Sequence, residues 1–271
     1  MSDSGAVAGA VRSAGAWGFE AAFAPVAGRV VQWRWEQAAA AVRFEDLAPV
    51  SGFPALAGKR WGPGWWWSAT SGRLVAHGSA AMRLRLMLLD RDPQVVGLSA
   101  RAVRLVWREG DGRVRSWVPQ LFARYADGSA MLVDCPAAGG AGGDAARRAA
   151  RTLAEACGQV GWVYRRLGPP DPVMAANVRW LAGYRHPRHL GRTGLAQAVL
   201  EAFAERRPLV EGVRAVGDPL EVWPVVFHCL WSGRLGVELG EPLHERVLVG
   251  AGRTGSGQEQ PAGLARPGVG A

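Results

Sequence analysis

In the stretch SWVPQLFARYADGSAMLVDCP (residues 116–136), one acid, Asp134, follows the apolar run Met131-Leu132-Val133. Asp127-Gly128 readily takes the positive φ of a tight turn, so the stretch reads as a β-hairpin. Side chains alternate along strands, which puts Val118, Gln120, Phe122 and Arg124 on one face of the first strand. Leu132, Asp134 and Pro136 share one face of the second. A carboxylate placed among such neighbours needs a partner: a metal ion, an arginine or backbone amides. Two readings stay open on these residues alone, an interior acid holding a cation and an acid that closes a strand before a proline loop. Gln120 offers a neutral carbonyl oxygen, and no lysine accompanies the acid, because Lys59 is the only lysine in the chain. Cys135, Cys157 and Cys229 are widely spaced and form no zinc pattern. His186, His189, His228 and His244 have no ligand spacing with acids or cysteines and read as surface or core histidines.

The elements that would position this hairpin follow from periodicity. Ser79 can cap a helix over residues 79–90, with Met82, Leu86 and Leu89 on one face, and Asp92-Pro93 ends it. Residues 95–98 and 103–107 are strand-like, 110–112 is a Gly-Asp-Gly turn, and 144–157 reads as a second helix before a strand at 160–166. Helix, strands, hairpin, helix, strand is the order of an α/β sheet sandwiched by helices. The aromatic run WGPGWWW (residues 61–67) sits around a Pro-Gly turn and reads as packing rather than as a platform for stacking bases. In the C-terminal third, Asp171-Pro172 opens a helix carrying Met174, Val178 and Leu181. A second helix spans 193–206, and Asp218-Pro219 opens a third with Val222, Val226, Phe227 and Leu230. Strand-like segments at 234–239 and 245–249 follow. Three helices and a short hairpin outline a winged-helix-like module, a common DNA- or protein-docking unit.

The 271 residues are 49% hydrophobic, enough for a substantial core. The division expected is a low-complexity N-terminal segment over 1–40, partly disordered, one domain over 41–168, a helical domain over 169–249 and a disordered tail over 250–271. The formal net charge is +9, and nine arginines face four acids between Arg83 and Arg124. Arginine binds phosphate oxygens in bidentate fashion, so a nucleic acid is the natural partner; a solvated basic surface weighs about equally on charge alone. Arg83, Arg85 and Arg124 are the candidate DNA contacts. With no signal-like N-terminus, no apolar window of about 18 residues and an odd cysteine count, a soluble cytoplasmic protein without a membrane segment is expected.

Four blocks carry a more specific likeness: WWWSATSGRLV, RLMLLDRDPQVVG, the VP…ARYADGSAMLVD hairpin and ACGQVGWVYRRLGPPDPVMAANVRWLAGYRHPR. In order and spacing, from about Trp65 to about Val249, they resemble TnsA-type endonuclease subunits of heteromeric transposases, the actinobacterial branch above all. The resemblance implies a restriction-endonuclease-like domain of the PD-(D/E)xK type followed by the winged-helix-like module. It implies cutting of one DNA strand at each transposon end, beside an integrase-type transposase and a transposition ATPase. In such a site two carboxylates hold Mg2+ against the scissile phosphate and a lysine two residues on serves the attacking water. Carried over by motif, the family's two helix glutamates fall on Gly78 and Met82, its Pro-Asp on Pro119-Gln120, and its acid-x-Lys/Arg on Asp134-Cys135-Pro136. Only Asp134 remains of the expected charged groups, and one carboxylate makes a weak Mg2+ site. The expectation is a retained fold with cleavage lost or severely reduced. Three classes stay open: an active Mg2+-dependent endonuclease subunit, a non-catalytic DNA-binding or scaffold subunit of a transposition complex, and a decayed protein.

Overall fold

A computed structural model describes residues 18–26, 28–53, 62–136 and 143–252. Strands β1 (Glu20–Val26) and β2 (Arg29–Arg34) lead through α1 (Trp35–Ala41) to the hairpin β3 (Gly64–Ser68) and β4 (Arg73–His77). Helix α2 (Ala80–Asp90) and strands β5 (Val95–Ala100), β6 (Arg104–Arg108) and β7 (Val114–Trp117) precede the hairpin β8 (Leu121–Tyr125) and β9 (Ala130–Asp134). Then come α3 (Asp144–Gln159), β10 (Val163–Arg166), α4 (Pro172–Leu181), α5 (Leu195–Ala202), β11 (Arg207–Pro208) and α6 (Leu209–Val216). The last elements are α7 (Pro219–Trp231), β12 (Leu235–Gly236) and β13 (Leu248–Ala251). The chain is thus a mixed α/β protein.

The central sheet runs β10-β9-β8-β5, with β10 parallel to β9 and the other pairs antiparallel. The β8–β9 turn forms as its residues require: Gly128 has φ 83°, and Asp127 accepts from the amide of Ser129. Alternation sends the two faces of this hairpin into different cores. Leu121, Ala123, Met131 and Val133 pack with Leu86 of α2, whereas Phe122 and Leu132 pack with Leu153 and Ala156 of α3. Each large side chain so buried contributes about 1.5–3 kcal/mol. The sheet therefore lies between α2 and α3, as the order of elements predicts. Ser79 caps α2 by accepting from the Met82 amide at 3.1 Å.

Several expectations are corrected. The strand expected from Val160 starts at Val163, because Gly161 (φ 71°) places the preceding residues in a turn. The low-complexity reading of residues 1–40 does not hold over β1, β2 and α1. These pair with β6 and β7 in a second sheet, β2-β1-β6-β7, and Phe23 and Trp35 anchor them in the α3 core. Average composition hides two aromatic anchors among alanines. Trp35 also donates Nε1–H to the carbonyl of Ala156 at 2.6 Å.

The C-terminal part has four helices where three are predicted. The helix expected over 193–206 is confined to Leu195–Ala202, and α6 is additional. Gly212 lowers the helical signal of α6, yet its bareness is required: a Cβ there would lie 2.2 Å from Cζ of Phe203. The short strands pair in the order β11-β13-β12. The boundary expected near residue 168 crosses a continuous core, in which the rings of Trp66 and Trp231 lie 6.1 Å apart. Among the described residues, no helix is long and apolar enough to cross a membrane.

Candidate functional site

Asp134 is the last residue of β9 and only 7% exposed. Both oxygens of its carboxylate are engaged by the protein. Oδ2 accepts from the indole N–H of Trp117 at 2.7 Å and from the hydroxyl of Tyr164 at 2.6 Å, while Oδ1 accepts from the Gln120 amide at 3.1 Å. Burial lifts the Asp134 carboxyl above its ordinary value; the bonds from Tyr164, Trp117 and Gln120 and the charge of Arg166 oppose that shift without cancelling it. Burial, and then the Asp134 charge, raise the Tyr164 phenol well above the ordinary range, so it remains a donor. The partner that Asp134 requires is a pair of aromatic donors and a backbone amide.

Gln120, the second candidate, is also consumed. Its Oε1 accepts from the Cys135 amide at 2.7 Å, which ties the start of β8 to the end of β9. Burial and the Asp134 charge push the Cys135 thiol up to about 12 against the pull of Arg85, so it is no thiolate ligand at neutral pH. At the two helix positions the structure leaves no place for acids. A Cβ on Gly78 would meet Cδ1 of Phe53 at 2.3 Å. Met82 is wholly buried, and its sulfur accepts from the Gly78 amide at 3.3 Å. Pro136, the position expected from the resemblance to carry a cation, has no charge to offer, and Lys59 lies outside the described residues. One carboxylate with both oxygens engaged, one amide bonded to backbone and a protonated thiol do not fit a Mg2+ ion, which prefers charged oxygen donors. Among the described residues no group of three or more His, Cys, Asp or Glu side chains could hold a metal.

The candidate DNA contacts separate. Arg124 lies 3.5 Å from Glu45 with both side chains largely buried, and its guanidinium covers the rings of Phe122 at 5.0 Å and Trp162 at 4.9 Å. Arg85 is buried and its guanidinium donates to the Gly168 carbonyl, with Nε at 2.8 Å. Arg83 alone of the three is exposed. Beside the site, Arg101 adopts φ 50° and donates to Ser51 Oγ at 2.7 Å, its charge lying 5.0 Å over the Phe53 ring.

Sequence reasoning missed Trp117 and Tyr164, the residues that define the state of Asp134. Trp117 stands within the quoted stretch, and Tyr164 falls opposite Leu132 in the β9–β10 register; only pairing in space reveals either. A second buried carboxylate, Asp90, was also unremarked. It accepts from Trp66 Nε1 at 2.9 Å, Ser68 Oγ at 2.6 Å, and the amides of Ala69 and Thr70 at 3.1 and 3.0 Å, pinning the β3–β4 hairpin to the end of α2. The sequence matches no protein-family model, and no curated protein is significantly similar to it.

Proposed function

We propose that this protein is a TnsA-like subunit of a heteromeric transposition complex that binds DNA ends or scaffolds the assembly without cutting. The observation that carries this reading is the engagement of Asp134 by Trp117, Tyr164 and the Gln120 amide, which occupies both oxygens of the one remaining acid and leaves a single acceptor position, on Oδ1. The order α2, β5, β8, β9, α3, β10, with the acid at the end of a central strand, supports a restriction-endonuclease-like ancestry. In the C-terminal part, α5, β11, α6, α7, β12 and β13 support the winged-helix-like assignment. Its last helix, α7, carries Glu221 and no lysine or arginine, which favours docking to protein subunits over reading of a DNA groove by that helix. The partners are transposon-end DNA, an integrase-type transposase and a transposition ATPase. Three free, buried cysteines accord with a cytoplasmic protein.

Binding of a labelled transposon-end duplex, titrated with salt in the presence of Mg2+, tests the proposal. The expected result is affinity that falls steeply with salt, through counterion release, with every strand intact. Absence of binding at low salt would overturn the DNA-binding role.

A further inference from the structure

The β3–β4 hairpin presents one face inward and one outward. Trp66 and Ser68 point to the core, while Trp65 (65% exposed) and Trp67 alternate to the other side, where Leu74 (58% exposed) lies opposite Trp67. Trp67 does not pack inward: it stacks on the exposed ring of His186, centroids 4.8 Å apart and planes 30° apart. Two guanidinium groups lie against this strand and a third belongs to the segment of His186. Arg185 lies 4.0 Å over the Trp66 ring and donates to the Trp67 carbonyl at 2.9 Å, Arg83 lies 6.0 Å from the Trp66 ring, and Arg188 is exposed on the segment that carries His186. Arg83, Arg185 and Arg188 are in no ion pair among the described residues. The nearby acid, Asp90, is buried and occupied by four donors. Arg185 is held below its ordinary value by burial first, with the charges of Arg83 and Arg188 adding to the effect against Asp90. The patch is therefore aromatic and basic, and among the described residues no acid is ion-paired to its three arginines.

We infer that this face binds single-stranded DNA, with Trp65 and the Trp67–His186 stack as platforms for bases and Arg83, Arg185 and Arg188 as the phosphate contacts. Spacing favours a single strand over a duplex. Side chains at i and i+2 of a strand stand about 6.6 Å apart along it, whereas bases in a duplex follow one another at about 3.4 Å. Two bases seated on Trp65 and Trp67 must therefore be separated from each other, which an unpaired strand permits and a stacked duplex does not. Aromatic stacking combined with a basic track is the general means of holding single strands without sequence preference. The packing reading of the tryptophan run holds for Trp66 and for Trp67 on His186 and not for the exposed Trp65; Trp61 lies outside the described residues. The inference rests on the DNA-binding role proposed above and adds the form of DNA and the residues.

The test is fluorescence anisotropy of the full chain with a labelled oligonucleotide of about 12 nucleotides and, separately, with a duplex of the same sequence. Trp65→Ala is expected to weaken single-strand binding about tenfold while duplex affinity stays within about twofold, and Trp65→Phe to restore most of the loss. Arg188→Ala is expected to lower the salt slope of single-strand binding by about 0.7. Single-strand affinity unchanged in Trp65→Ala overturns the inference. Wild-type binding to duplex but not to single strand also overturns it, leaving the DNA-binding role standing. Failure to bind either form at low salt overturns both.

Discussion

The phenolic hydroxyl of Tyr164 on β10 donates a 2.6 Å hydrogen bond to Oδ2 of Asp134 on the neighbouring strand β9. That oxygen also accepts from Trp117, so aromatic donors occupy both acceptor positions of Oδ2. The acid has a structural task, tying β7 of the second sheet and the residue before β8 to β9 and β10 of the central sheet. A buried carboxylate at the end of a central strand is thus explained without catalysis.

Removing one donor should cost stability. Tyr164→Phe leaves the buried carboxylate one partner short and is expected to lower unfolding free energy by about 1.5–3 kcal/mol. Urea denaturation reads the loss; a change below about 0.5 kcal/mol would mean that the bond contributes little.

The raised Asp134 carboxyl gives a signed pH dependence. A folded value above the unfolded one means that the fold binds the proton more tightly. The associated stability is fully present below the ordinary carboxylate value of about 3.9 and is lost as pH rises through the raised folded value. Asp134→Asn lacks this loss, so its stability relative to wild type should improve as pH rises through that window. Urea midpoints for both proteins, measured in steps from about pH 4 upwards, check the sign; a relative stability that worsens with pH would refute it.

Arg124 should behave as a structural residue. Removing it leaves the nearly buried Glu45 with only the exposed Arg43, 3.7 Å away, and Arg124→Ala is expected to destabilise the protein by about 3 kcal/mol. Duplex affinity of the folded variant, measured by anisotropy, should match wild type; a large loss would return Arg124 to the DNA-contacting set.

Placing glutamates at positions 78 and 82 should unfold rather than activate. Gly78→Glu must displace the Phe53 ring, and Met82→Glu places a carboxylate where no surface is exposed. Each is expected to cost more than about 3 kcal/mol, visible as a fall in Tm. A Met82→Glu variant with wild-type Tm and divalent-dependent nicking would contradict this account of the site.

The legible parts of the fold were those with local signals. Ser79 as a cap, Asp127-Gly128 as a turn, and Asp171-Pro172 and Asp218-Pro219 as helix starts each satisfy backbone groups within a few residues, so their spacing is readable. The second sheet was not readable, because Phe23 and Trp35 gain their meaning from α3, over a hundred residues away. Helix α6 was hidden by a glycine whose purpose is to admit Phe203. At the site, Asp134 and Gln120 were visible as residue types. What they bond to depended on Trp117 and Tyr164, brought together by strand register, and no spacing in the chain announces that.

The most direct measurement is a nicking assay on supercoiled and linear transposon-end DNA, with purified full-length protein and either Mg2+ or Mn2+. With Asp134 engaged by Trp117, Tyr164 and the Gln120 amide, the DNA should remain uncut under conditions in which the protein binds it. Robust divalent-dependent cleavage that disappears in Asp134→Ala would contradict the central claim.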